Sequence, residues 1–149
     1  MHPILVLRNA IVALLVAKGK TATARYVEYT KKAECEDGKY FVAIASENDK
    51  QFNNVDRRDY LIDVVYQRAL PTSTPGQPAP LENNPFLDGC VTEFATVKTL
   101  FQEGGEYRGV SIGGCVMIEM LEQQMYSPMH LLEHQIFTSS FRMRFRLED

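Results

Sequence analysis

Only three cysteines occur in the 149 residues, and Cys35, Cys90 and Cys115 lie far apart, outside any C-x-x-C pair. This excludes a disulfide framework or a cysteine-bound zinc from the reading, and a reducing cytoplasm is the simplest setting. Charge of one sign is also lacking. Sixteen Lys and Arg against 19 Asp and Glu leave a net charge of −3, which gives no electrostatic reason to name nucleic acid as a partner. There is no G-x-x-x-x-G-K-[ST] loop, and neither Gly104-Gly105 nor Gly113-Gly114 forms a dinucleotide fingerprint, so no phosphate cradle is read. The longest apolar run, residues 4–17, reaches about 21 Å as a helix, short of a hydrocarbon core of about 30 Å. No Lys or Arg precedes it and Arg8-Asn9 interrupts it, so Ala22-Thr23-Ala24 is not read as a secretory cleavage site. No internal repeat is visible.

What remains is a globular composition, 45% apolar and 23% charged, with the length of a single domain, 1–149. "PILVLRNAIVALLVAK", residues 3–18, predicts a helix, with Pro3 suited to its first turn and Gly19 to its stop. Its polar side is thin. Leu7, Leu14 and Ala17 are expected on a far side that is also apolar, so a second cover is needed, for which another subunit is the candidate. Three strands follow, at 23–32, 39–46 and 59–69, and Asp37-Gly38 between the first two is a hairpin signal, which together predict an antiparallel meander. In the third strand Tyr60, Ile62, Val64 and Tyr66 share one face, while Asp63 and Gln67 share the other with Leu61 and Val65.

Residues 71–85, "PTSTPGQPAPLENNP", hold five of the seven prolines and are read as a loop or arm. Asn84 as cap, Pro85 at the first position and Phe86, Cys90, Phe94, Val97 and Phe101 at spacings of three and four predict a second helix over 85–103. Two strands close the chain, over 114–125 and 135–148. In the last, Phe137, Ser139, Phe141, Met143, Phe145 and Leu147 alternate with Thr138, Ser140, Arg142, Arg144 and Arg146, which predicts one core face and one arginine face. The fold class is therefore α+β, a mainly antiparallel five-stranded sheet packed with two helices in the order α-β-β-β-α-β-β.

Two motifs suggest catalysis. "HLLEH", residues 130–134, matches an inverted zinc-peptidase pattern in which His130 and His134 hold zinc and Glu133 polarises water. A third ligand is not evident, and Pro128 precedes the motif while a strand follows it, so an ordinary connector is preferred, with Leu131 and Leu132 anchoring it and His130 and Glu133 facing water. "GVSIG", residues 109–113, matches the nucleophile elbow of α/β-hydrolases at Ser111. The residues after it read as strand rather than helix, against that assignment. Neither survives as a catalytic site, and no cofactor or metal is expected.

The element order, together with "YFVAIASEND", "RRDYLIDVVYQRALP" and "YSPMHLLEHQIFTSSFRMRFRLED", resembles the tail-terminator (tail-completion) proteins of long-tailed bacteriophages over nearly the whole chain. The resemblance implies a non-enzymatic α+β subunit that assembles into a ring, usually of six, capping the tail tube and joining it to the head. It implies as partners further copies of the chain, a tail-tube protein and a head-completion or neck protein, with no direct nucleic-acid recognition and no membrane. The implied location is the virion, after assembly in the bacterial cytoplasm. Candidate contacts are Arg142, Arg144 and Arg146, the arm at Pro75, Pro78, Pro80 and Asn83, and Leu7 and Leu14 of the first helix. The alternatives are another neck or minor tail component, and a metal-dependent hydrolase using HLLEH.

Overall fold

The computed structural model describes residues 1–52, 55–71, 80–121 and 126–148, with the backbone alone for 46–52 and 55–58. Helix α1, Pro3–Ala17, begins where the His2 ring accepts a hydrogen bond from the Ile4 amide at 3.2 Å and Pro3 supplies a preset φ. It ends where Gly19 takes φ +80 and donates to the Val16 carbonyl at 2.9 Å. Ile4, Leu7, Ile11 and Leu15 form its buried stripe. Leu7 was expected on the far side, but a turn of 100° per residue places it in line with Ile11 and Leu15, and it is fully buried. Leu14 flanks the same stripe and is half-buried against the core. The side facing away is formed by Val6, Asn9, Ala13, Val16 and Ala17, all exposed.

Among the described residues the sheet has six strands rather than five: β1 Ala22–Ala24, β2 Lys39–Phe52, β3 Val55–Ala69, β4 Ser111–Ile112, β5 Cys115–Leu121 and β6 Ile136–Leu147. Their order is β1-β2-β3-β6-β5-β4. The expected meander is only partly present. β2 and β3 are antiparallel, but β1 is three residues long and runs parallel to β2. Instead of a hairpin at Asp37-Gly38, residues 25–38 leave β1 across the back of the sheet. They return through a 3-10 turn, Lys32–Glu34, to the end from which β1 started, so β2 must run the same way as β1. The added strand, β4, meets β5 through a two-residue turn with Gly113 at φ +56 and Gly114 at φ +79, signs suited to tight hairpins. Of the expected 114–125 strand, residues 122–125 lie outside the described residues.

Helix α2, Pro85–Thr99, is capped by Asn84, whose side chain accepts from the amides of Phe86 and Leu87. It stops four residues earlier than its apolar spacing predicts. From Leu100 onward the amides bond three residues back, to Val97, Lys98 and Thr99, a tightening common at helix ends. Phe101 keeps its place in the buried stripe nonetheless. A third helix, α3 Pro128–His134, contains the whole HLLEH segment.

The front of the sheet packs on α1 and α2. Tyr40 and Val42 of β2, Tyr60, Ile62, Val64 and Tyr66 of β3 and Phe141, Met143 and Phe145 of β6 meet Leu7, Ile11, Cys90 and Phe94 there. Each large side chain buried in this way contributes about 1.5–3 kcal/mol. On the back face one end of the sheet carries a second cluster, in which Tyr29 and Cys35 from the crossing segment cover Phe41, Ala43, Val65, Ala69 and Ile136. The α1 helix touches β1 and β2 on one side and β4 on the other, so the sheet curls around it. That closure requires Gly113. A Cβ there would lie 2.9 Å from the Leu7 Cα and 3.0 Å from the Val6 carbonyl oxygen. Gly113→Ala is therefore expected to lower stability by about 2 kcal/mol, from a strained positive φ and backbone overlap. Gly89→Ala, inside α2 with open space around its Cβ position, is expected to raise it by up to about 1 kcal/mol. Urea denaturation of the two variants checks both signs.

Candidate functional site

The arginine face is built by strand register. β3 places Asp63 opposite Arg142 and Asp59 opposite Arg146, and β5 places Glu119 opposite Arg144. Arg142 donates through Nε and Nη2 to the two Asp63 oxygens at 2.8 and 3.0 Å. Arg146 does the same to Asp59 at 3.0 and 3.4 Å, and Arg144 pairs with Glu119. The bond to Asp63 raises the Arg142 pKa further, so that guanidinium stays charged. The three arginines face outward as the alternation predicts, but each charge is already met inside the chain. An acidic group arriving on this face has to compete with a carboxylate in place, at a geometry Arg favours. Both aspartates were legible in "DYLIDVV", four apart on the less apolar side of the strand.

The remaining candidates divide. Pro75 and Pro78 lie outside the described residues. Pro80 is exposed and its carbonyl accepts from Asn84 Nδ2 at 2.8 Å, while Asn83 is exposed with φ +47. Where the arm rejoins the body lies a cavity of about 290 Å³, lined by the polar Asn83, Asn84 and Asp88 as well as by Leu81, Leu87, Val91, Tyr126, Leu131 and Phe137. Of its lining, Leu81 is 43% exposed; on α3, Met129 and Leu132 are exposed at 63% and 66%. Leu131 does anchor α3 in the core, as expected, but Leu132 does not. One turn of a seven-residue helix has only one face toward the sheet. On α1, the outward candidates are Val6, Ala13, Val16 and Ala17 in place of Leu7 and Leu14, a set recoverable from the sequence by projecting it at 100° per residue.

His130, expected to face water, instead joins a polar chain. Its Nδ1 is 2.9 Å from Thr138 Oγ1 and its Nε2 3.0 Å from Glu28 Oε2. Thr138 also accepts from Gln67 Nε2 at 2.9 Å, and the buried Gln67 grips the Tyr29 backbone at both its N–H (2.7 Å) and its carbonyl (2.9 Å). These bonds fasten the crossing segment to the sheet and leave neither His130 nitrogen open. The His134 ring centroid is 5.4 Å from that of His130, edge-on, and Glu133 is exposed. Among the described residues, no three His, Cys, Asp or Glu side chains are grouped to hold a metal ion. Ser111 sits in the β4–β5 hairpin and donates to Glu148, a strand-turn-strand setting unlike the strand-turn-helix of a nucleophile elbow.

No protein-family model matches the chain, and no curated protein matches it either.

The cysteines are all buried. Burial pushes the thiols of Cys90 and Cys115 up to about 11 and raises that of Cys35. At pH 8 only about a thousandth of a thiol with a pKa of 11 is thiolate, the reactive form. Folded protein is expected to react with a disulfide thiol reagent far more slowly than protein in 6 M guanidinium; rapid titration of all three thiols in the folded state would contradict this. For the arginine pairs, Asp59 has 6% side-chain exposure and Glu119 has 44%. Arg146→Met is therefore expected to cost about 2 kcal/mol, and Arg144→Met under 1 kcal/mol, because only the first leaves a carboxylate without both water and a cation. Urea midpoints of the two variants order them.

Proposed function

We propose that the chain is a non-enzymatic structural subunit of a phage virion, a tail terminator whose copies close into a ring, six being the number the resemblance implies. The ring caps the tail tube and presents the surface that meets the head. The observation that carries this reading is the coexistence of a buried core with two separate surfaces of different character, the exposed, largely apolar outward side of α1 and the mixed polar and apolar cavity between the arm, α2 and α3. A ring needs two different faces on each subunit, because its interfaces are head-to-tail, whereas a two-fold dimer needs one self-complementary face. The α+β class of the fold is in keeping with it. The proposed location is the neck of the virion, after assembly in the host cytoplasm.

Deleting the gene from a phage that encodes this chain tests the role. A terminator is expected to leave overlong tails without heads. Tails of normal length separated from heads would assign the chain to another neck component instead, and undiminished infectious virions would contradict a structural role in the tail.

A further inference from the structure

We propose that residues 25–38, which cross the back of the sheet, are a strap that opens as one unit while the core under α1 and α2 stays closed, with the polar chain through Gln67 and His130 as its latch. The strap belongs to no strand, and its one regular element is the 3-10 turn Lys32–Glu34. Within it only Tyr29 and Cys35 are buried. They cover a cluster of their own, Phe41, Ala43, Val65, Ala69 and Ile136, separate from the large cluster that holds Cys90 and Cys115. Lifting the strap uncovers the back patch and leaves the front core covered. A segment with few buried apolar contacts opens at a smaller free-energy cost than the whole molecule.

Its attachments are equally few. Among the described residues two backbone bonds tie it to the sheet, from the Arg25 amide to the Val42 carbonyl at 3.2 Å and from the Ala69 amide to the Cys35 carbonyl at 2.8 Å. Side chains hold the span between. Arg8 donates to the Tyr26 hydroxyl at 3.1 Å on the exposed side, and the Arg25 guanidinium over the Tyr29 ring, at 3.9 Å, belongs to the strap itself and moves with it. The buried hold is at Glu28 and Tyr29. Gln67 of β3 bonds both the N–H and the carbonyl of Tyr29 and donates to Thr138 of β6; Thr138 meets His130 of α3, and His130 meets Glu28. The chain of bonds leaves the strap at Tyr29 and returns to it at Glu28, so three elements grip two consecutive residues. Cutting it at Gln67 frees the Tyr29 backbone and removes the hold on the middle of the strap.

The three thiols report the opening, since Cys35 lies under the strap and Cys90 and Cys115 lie in the front core. The test labels the folded full chain with iodoacetamide across a urea series, reads each thiol by peptide mass spectrometry, and divides its rate by that of the same thiol in unfolded protein. Cys35 is expected to react at least about tenfold faster than the other two. Its dependence on urea is expected to be shallower, because opening a strap exposes less surface than unfolding, and hydrogen exchange of the Tyr29 amide is expected to show that same shallow dependence. Gln67→Leu is expected to speed Cys35 by about tenfold without changing its slope. Thr138→Val, which keeps the side-chain shape, is a second cut in the latch and is expected to speed it by a smaller factor. Ile11→Val, in the front core, is expected to speed Cys90 and Cys115 by roughly fivefold and to leave Cys35 unchanged. One shared rate and slope for all three thiols, a Cys35 rate that rises with Ile11→Val as the others do, or no response of Cys35 to either latch variant would overturn the proposal.

Discussion

The alternation along β6 is the constraint on which the rest depends. Phe137, Phe141, Met143 and Phe145 point to one side and Thr138, Arg142, Arg144 and Arg146 to the other, and because a strand has a period of two, a slip of one residue would bury three guanidiniums. The register with β3 and β5 is fixed by that cost and by the carboxylates waiting opposite. With the faces assigned, both long helices have only one side of the sheet to cover, and the crossing segment must cover part of the other.

The back face is consequently divided by chemistry. At one end it is apolar and closed, with Tyr29 and Cys35 over Val65 and Ile136 and the Gln67 clamp holding the segment in place. At the other end it is ionic, with three cross-strand pairs neutralising one another. The ladder presents guanidinium edges without an excess of charge.

Much of this was legible in the sequence, and what was not has physical reasons. The opening turn at Pro3, the cap at Asn84, the stripe of α2 and the two faces of β3 and β6 follow from spacing and local hydrogen-bonding chemistry, and they stand as read. The parallel β1 was not legible. Asp37-Gly38 is a local signal, and it makes a turn as it should, but whether the turn joins paired neighbours is decided by the distant Gln67 taking hold of Tyr29. β4 was missed because two residues leave no periodicity to detect. His130 was assigned to water because its partners, Glu28 and Thr138, are brought to it only by the fold. The misplacement of Leu7 had a different origin: the projection of the helix was available from the sequence, and it places Val6 and Val16, not Leu7, on the outside.

The central claim is that this chain closes on itself through unlike surfaces. Native mass spectrometry of the purified protein over a hundredfold range of concentration tests it most directly. The account predicts monomer giving way to one closed species of a single copy number, six if the resemblance holds in this respect, without stable intermediates of every size. A monomer throughout, or a dimer that grows no further, would contradict it.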